Sequence, residues 1–375
     1  MRLRHIDFLR GIAIILVLFR HCVLTEILYR VGWVGVDLFF VLSGFLVSGI
    51  LFHEYQKYNS IKPGLFLIRR GLKIYPLFYS AIIFSELFAT VYNWTSEKIF
   101  RSELLAELLF VQNYFSHIWE QNWSLAVEEH FYLVLVLIIF ILYKKKLLEN
   151  RKVFTGFFVF IAVSCLSLRL WNYTHVPYLD ATHLYPTHLR IDSLMFGVYL
   201  SYMYNYEKEK FVRFFQKYKY ILIPIALLFL TPCIFFDIGA FFMNTFGLTM
   251  LYLGFGTILS VMMVTENINV KLNKIFGKIT VNIVSKIGFY SYSIYLWHLI
   301  VLKFVLTAIN KYISPASPNE INFTIYFIAS ILAGIGISKL IEQPFLKFRD
   351  RRFPSRSKAI NISSADSNEG KKIQD

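Results

Sequence analysis

Charge is scarce in this 375-residue chain. Asp, Glu, Lys and Arg make up 17% of it, while hydrophobic types make up 56%; ordinary globular proteins carry about 25% charged residues. That shortage excludes a disordered chain, and it excludes the soluble protein of two or three domains usual at this length. Cysteine is nearly absent. Cys22, Cys165 and Cys233 lie in three separate apolar runs, so there is no disulfide framework, no CxxC pair and no cysteine metal cluster to read. No segment recurs at a fixed period. Acidic residues are few even among the charged ones, 24 against 39 basic, for a net charge of +15. Charge alone would allow a nucleic-acid partner, so the placement of the basic residues has to decide.

Apolar length fills the chain instead. Ten runs of roughly 18–25 residues are each long enough to cross a bilayer as a helix. They fall at about 8–27, 31–52, 74–92, 123–143, 153–171, 189–205, 220–236, 244–265, 287–309 and 321–341. The first run is too long for the core of a signal peptide and lacks a small-residue cleavage site, so a retained span is expected. With the N-terminus in the cytoplasm, the inner segments hold 29 of the 39 basic residues and the outer loops hold four, namely Arg30, Lys98, Arg101 and Lys311. This is the positive-inside pattern, and it accounts for the basic excess without nucleic acid. The expected fold is all-α: a polytopic membrane protein of about ten transmembrane helices with both termini cytoplasmic. Residues 1–350 form its membrane domain and 351–375 a disordered cytoplasmic tail. In the outer loop 93–122, the apolar stretch from Ile99 to Phe115, with Trp94, Trp119 and Trp123 around it, reads as a helix in the outer interface.

Ionisable groups inside spans are costly and point to function by default. Asp7, Arg10, Ile14, Val17 and His21 recur every three or four residues and share one helical face. Arg10 and His21 stand about 16 Å apart along the axis, too far to touch but suited to the two ends of one long ligand. Asp7 and Arg10 also fit plain snorkelling at the membrane surface, which does not explain His21. His21 and Asp37 flank a turn centred near Tyr29 at equal distances, which predicts an Asp37 carboxylate beside the His21 imidazole. Glu128 and Glu129 enter from the outer side, and as neighbours on a helix only one of them is expected to line a common cavity. Trp123, Glu129, Arg190, Asp192, Tyr295 and His298 are expected to bind substrate. On the inner side Arg69, Arg70 and Lys73 precede Pro76 at the expected start of the third span. A basic cluster at a helix N-terminus suits phosphate, although juxtamembrane cations are also what topology alone requires. The Tyr- and His-rich outer loop 172–188, with His175, His183 and His188, has no zinc spacing.

The segments "IDFLRGIAIILVLFRH" (6–21), "GVDLFFVLSGFL" (35–46), "RRGLKIYP" (69–76), "NWSLAVEEHFYL" (122–133), "LRIDSLMFG" (189–197), "YSYSIYLWH" (290–298) and "EQP" (342–344) occur in this order. Together they resemble the integral-membrane acyltransferase family 3, the family of bacterial O-antigen and exopolysaccharide O-acetylases. The resemblance covers about 6–346. It implies transfer of an acyl group, usually acetyl from acetyl-CoA, to a sugar hydroxyl in the plasma or inner membrane. The family's Arg and His of the first span correspond to Arg10 and His21. Its cytoplasmic Arg motif corresponds to Arg69 and Arg70, with Lys73 where Arg is usual, which keeps the charge but loses the bidentate fork. The extra hydrolase-like domain of some relatives is not expected here.

With that ligand, acyl-CoA phosphates are expected at Arg10, Arg69, Arg70 and Lys73. His21 is expected as general base on the acceptor hydroxyl, with Asp37 or Glu128 stabilising its imidazolium. A covalent relay through Ser43 or Ser124 stays open. No metal is expected, and the partners are the bilayer, acyl-CoA and a carbohydrate or glycoconjugate acceptor. The rival reading is a ten-span transporter or exporter of a lipid-linked sugar or small anion, because buried charges on several spans suit it too.

Overall fold

The computed structural model describes residues 3–92, 101–313 and 317–356. Among them every regular element is a helix. The chain opens with α1 (Arg4–His21), the short α2 (Glu26–Val31) and α3 (Gly35–Tyr58), followed by α4 (Pro63–Tyr92) and α5 (Arg101–Leu108). The middle holds α6 (Trp123–Lys144), α7 (Arg151–His175), the single turn α8 (Asp180–His183), α9 (Ile191–Tyr206), α10 (Lys208–Leu230) and another single turn, α11 (Pro232–Phe235). The last part holds α12 (Leu248–Val264), α13 (Ile268–Phe276), α14 (Lys278–Phe289), α15 (Ser291–Tyr312), α16 (Asn319–Ile337) and α17 (Gln343–Arg352).

Local chemistry sets several of these ends. Thr25 caps α2 by accepting from the Leu28 N–H, and Asn150 caps α7 by accepting from the N–H groups of Lys152 and Val153. Pro63 starts α4, where its missing N–H costs nothing. Gly277 takes a φ of 83° between α13 and α14, a conformation that a side chain resists. Before α17 the helix widens into a π-turn over Ser338–Glu342. Pro344 follows at once, and the wider turn accommodates its ring.

Each of the ten expected apolar runs overlaps helix, although 8–27, 220–236 and 287–309 each cross a break between two helices. Seven helical stretches among the described residues are long and apolar enough to cross a membrane, and the chain is a multi-pass membrane protein. The expected spans on α1, α4 and α9 are not among the seven. α1 carries Asp7, Arg10 and Arg20, and α9 has 16 residues where about 20 are needed. The expected ninth span is also broken: α14 ends at Phe289, Tyr290 forms the joint, and α15 starts at Ser291.

α3 and α12 lie inside, and α7 and α10 lie at the periphery. Phe160 on α7 and Ile221 and Leu228 on α10 are exposed, as a lipid-facing shell requires. Close backbone crossings hold the inner helices. A Cβ added at Gly44 of α3 would overlap the Leu194 carbonyl of α9, and one at Gly197 of α9 would overlap the Val41 carbonyl of α3. Gly11 of α1 and Gly288 of α14 meet in the same way, the latter against the Asp7 carbonyl. In lipid, where apolar surface gives little drive between helices, such approach supplies the packing contacts.

Three peripheral expectations need comment. α5 is a short helix with Leu105, Leu108 and Leu109 exposed, as an interfacial helix would be, while Trp94, Lys98 and Ile99 lie outside the described residues. The segment expected to be disordered from 351 onward differs at its start. Arg351 and Arg352 finish α17, and Arg356 donates to Glu54 Oε1 at 2.8 Å and to Ser60 Oγ at 3.1 Å. Residues 357–375, like Arg2, lie outside the described residues.

Candidate active site

A cavity of about 220 Å³ opens between α1, α3, α4, α6 and α15. Arg10 lines it from α1, and Arg70 and Lys73 line it from α4. Arg70 and Lys73 are three residues apart and therefore share a face, whereas neighbouring Arg69 points about 100° away. Arg69 is not part of the cavity: it donates to Asp350 Oδ1 at 3.0 Å and to the Phe353 carbonyl, tying α4 to the C-terminal segment. Nor do these cations cluster at a helix N-terminus, since α4 begins at Pro63, two turns earlier. Charge and burial, rather than exposed N–H groups, would have to attract an anion. The Arg70 guanidinium stacks over the Tyr132 ring at 4.3 Å, and its Nε is buried without a partner.

Both Glu128 and Glu129 line this cavity, which corrects the expectation that only one would. The cavity wraps round α6 far enough to reach two adjacent positions. The Tyr132 hydroxyl donates to Glu128 Oε2 at 2.5 Å. The Ser43 hydroxyl stands 2.5 Å from that of Tyr132 and donates to Glu128 Oε2 at 3.3 Å. Glu129 Oε2 accepts from the Tyr75 hydroxyl at 3.1 Å. Ser43 thus has hydroxyl and carboxylate partners that no spacing in the sequence could reveal, because they come from a helix 85 residues away.

A second, smaller pocket of about 60 Å³ holds His21 together with Arg20, Trp123, Arg190 and Tyr295. Trp123 stacks on Tyr185 with centroids 5.0 Å apart. Glu120, Gln121 and Asp180 complete the wall; sequence reasoning missed these three, which sit in polar loop segments of ordinary appearance. The two spaces meet at Val36 and Tyr295, which line both. The Tyr295 hydroxyl donates to the Gln121 carbonyl at 2.9 Å and lies 2.6 Å from Ser124 Oγ.

Asp37 is not paired with His21. Its Oδ1 accepts from Arg190 Nη2 at 2.7 Å, and both side chains are about 98–99% buried. The reason is register. Gly35 packs on the Ala13 carbonyl and Gly32 on the Leu16 carbonyl, so levels on α1 and α3 match where residue numbers sum to about 50. α2 absorbs much of the connection, and the hairpin is not symmetric about Tyr29. Asp37 therefore stands about two turns, or ~12 Å, below His21. Asp192 is likewise removed from the cavity walls, with Oδ2 accepting from Arg169 Nη2 at 2.7 Å. Arg169, the one basic residue inside the fifth apolar run, also donates to Thr249 Oγ1 at 2.9 Å. Its place in an apolar run was the signal that could have singled it out.

His298 is fully buried, and its ring lies 4.9 Å from that of His21, centroid to centroid. It faces His21 rather than open space. The loop histidines diverge: His175 stacks on Trp171, His188 on Tyr114, and His183 sits between Tyr173 and Tyr178.

A family model described as "Acyltransferase domain" matches residues 3–342. Among curated proteins, a peptidoglycan O-acetyltransferase of Listeria monocytogenes is 29% identical over 218 residues, covering 54% of this chain and 34% of the relative. A putative O-acetyltransferase of Staphylococcus aureus is 28% identical over 369 residues, covering 91% of this chain and 57% of the relative. An uncharacterised Haemophilus influenzae protein is 31% identical over 218 residues, covering 53% of this chain and 86% of that protein. The chain thus spans between a third and three fifths of the length of the two named relatives. No solved structure matches.

Proposed function

The chain belongs to the integral-membrane acyltransferase family 3, and from that premise we propose that it moves an acyl group, acetyl in the first instance, from cytoplasmic acyl-CoA to a hydroxyl of a carbohydrate or glycoconjugate at or beyond the membrane. The observation that carries this reading is the pair of adjacent spaces that share Val36 and Tyr295 as walls, with Arg10, Arg70 and Lys73 in one and His21 in the other. In this reading the donor's phosphates rest on Arg10, Arg70 and Lys73. Its pantetheine arm runs along α1 for about the 16 Å that separates Arg10 from His21, and its thioester enters the pocket at Tyr295. The acceptor comes from the opposite side, between the Trp123–Tyr185 stack and the polar wall of Glu120, Gln121 and Asp180. The glycan named for the Listeria relative, peptidoglycan, is one acceptor of the proposed class.

His21 takes the proton from the acceptor hydroxyl as its oxygen attacks the thioester carbon. The new C–O ester bond forms, the C–S bond breaks, and the leaving thiolate receives the proton held by the imidazolium. Arg190 keeps its place in the pocket wall because Asp37 holds it, so Asp37 serves the site through Arg190. Glu128 belongs to the donor space with Ser43 and Tyr132. The charge distribution supports ten crossings with both termini cytoplasmic in a plasma or inner membrane, which puts the cation-lined space on the side where acyl-CoA is available.

The test is a proteoliposome assay, with labelled acetyl-CoA on the side of the cation-lined cavity and candidate glycans on the other. Wild type should yield acylated glycan. His21→Ala should yield none while still binding acetyl-CoA. Normal transfer by His21→Ala, or movement of a solute without acyl-CoA and without acylated product, would overturn the proposal.

A further inference from the structure

Neither carboxylate expected to orient His21 does so, since Asp37 is held by Arg190 and Glu128 by Tyr132 and Ser43. What lies against its ring is a second imidazole. His298 projects from α15, is 0% exposed, and places its Nδ1 2.5 Å from the carbonyl oxygen of Tyr295, one turn earlier on the same helix. A carbonyl only accepts, so His298 Nδ1 must carry the proton there. Its Nε2 is then a bare lone pair, and that atom is buried with no hydrogen-bond partner. An unsatisfied acceptor of this kind costs free energy unless a donor reaches it. Of the rings in contact with His298, Tyr295 has its hydroxyl engaged with the Gln121 carbonyl, and the other is His21, 4.9 Å away and tilted by 53°.

We propose that His298 is the positioning residue for His21: its Nε2 accepts the N–H of His21 once substrates close the pocket, fixing the His21 tautomer so that the other ring nitrogen faces the acceptor hydroxyl. Hydrogen bonds of catalytic groups are commonly long before substrate binds and shorten in the complex. A neutral imidazole as second member leaves the base weaker than a carboxylate would, but it orients the base equally well. The inference rests on His21 being the base. The other charged groups around His21 are Arg20 on its own helix, and Glu120, Asp180 and Arg190 across the pocket. Arg20 and Arg190 only donate, and Glu120 and Asp180 each already accept from a tyrosine hydroxyl, those of Tyr185 and Tyr178.

Three variants test it: His298→Phe, His298→Gln and His298→Asn, with kcat and both KM values measured in proteoliposomes. Glutamine sets an amide oxygen close to where Nε2 stands, whereas asparagine reaches only to the Nδ1 position. His298→Phe should lower kcat by about 10²–10⁴-fold, the range that a correctly placed general base contributes, with both KM values within about threefold. His298→Gln should recover at least a tenfold share of that loss, and His298→Asn should not. If His298→Phe fails to fold, the Gln–Asn comparison alone decides. Equal rates for Gln and Asn, or a loss confined to the acceptor KM, would overturn the inference. If the wild type transfers no acyl group, the functional reading fails by itself. The coupling is then read from carbethoxylation of His21 by diethyl pyrocarbonate, located by mass spectrometry. A rate changed at least fivefold in His298→Phe supports the pairing, and an unchanged rate rejects it.

Discussion

Asp37→Leu should damage the stability of this protein before it damages the chemistry. The Asp37 carboxylate and the Arg190 guanidinium meet at 2.7 Å with side chains 1% and 2% exposed. For charge centres about 4 Å apart, an effective dielectric near 20 makes their attraction about 4 kcal/mol. Removing one partner leaves the other charge buried alone, and such losses run to about 3–5 kcal/mol. That corresponds to roughly two to three and a half orders of magnitude in the folding equilibrium. Arg190→Met should cost a similar amount. Replacing both partners restores a neutral interior, so the double variant Asp37→Leu/Arg190→Met should return to within about 1 kcal/mol of wild type. The contacts of Arg190 with the Phe40 and Trp123 rings, at 5.7 and 5.6 Å, make its side the costlier one to lose.

The assay is SDS-induced unfolding of the purified protein in mixed micelles, followed by circular dichroism for the four members of the cycle. The reasoning requires a coupling of several kcal/mol between the two sites. If the single losses simply add in the double variant, the ion pair is not what places Asp37. If Asp37→Leu keeps wild-type stability and loses kcat, Asp37 returns to the reacting group beside His21.

Further outcomes follow from the same geometry. Arg70→Ala and Lys73→Ala should each weaken acetyl-CoA binding about tenfold by equilibrium dialysis, a typical loss for one charge-assisted contact; Arg69→Ala should leave it within twofold but speed trypsin cleavage of the C-terminal segment. Gly44→Val and Gly197→Val should each abolish a monodisperse gel-filtration peak, because the added Cβ overlaps a carbonyl on the facing helix. Between α4 and α6, burial pushes the Glu107 carboxyl up to about 7, against hydrogen bonds from Asn122 and from the backbone of Ile118 that lower it. A carboxyl raised from 4.5 to about 7 on folding favours the fold while protonated, so its contribution is full below about 4.5 and is lost as the pH climbs towards 7. The melting temperature of wild type should therefore fall more between pH 5 and pH 8 than that of Glu107→Gln; parallel curves would remove Glu107 as the cause.

Much of the architecture was legible because the bilayer imposes it. Apolar length and the side on which Lys and Arg accumulate follow from the cost of placing charge in hydrocarbon, and both can be counted along a single chain. The acyltransferase assignment was legible too, from a set of short segments in a fixed order. Which residues touch was not. Arg69 and Arg70 look equivalent in sequence, yet one ties down the C-terminal segment and the other lines the cavity, because 100° of helical rotation separates them. Arg169 shows in the sequence only as one charge within an apolar run, although it neutralises Asp192 from a neighbouring helix.

The deepest gap was the α1–α3 register, and it bears on function. Counting equal distances from a turn assumes that the connection contributes nothing along the axis. Here Glu26–Val31 already forms a helix, and close glycine contacts at Gly32 and Gly35 lock α3 against α1 about eight residues out of the arrangement symmetric about Tyr29. That offset carries Asp37 below His21 and hands it to Arg190. It also leaves His21 without Asp37 beside it, and the ring in contact with its own is that of His298. A chain with a tighter α1–α3 turn would put a carboxylate at the base and would not need the second imidazole. Shortening the α2 segment by one turn in this protein should therefore bring Asp37 about 5 Å nearer the level of His21 and lessen the effect of His298→Phe on kcat. If the His298→Phe loss stays the same in the shortened chain, the register argument fails even where the ion pair survives.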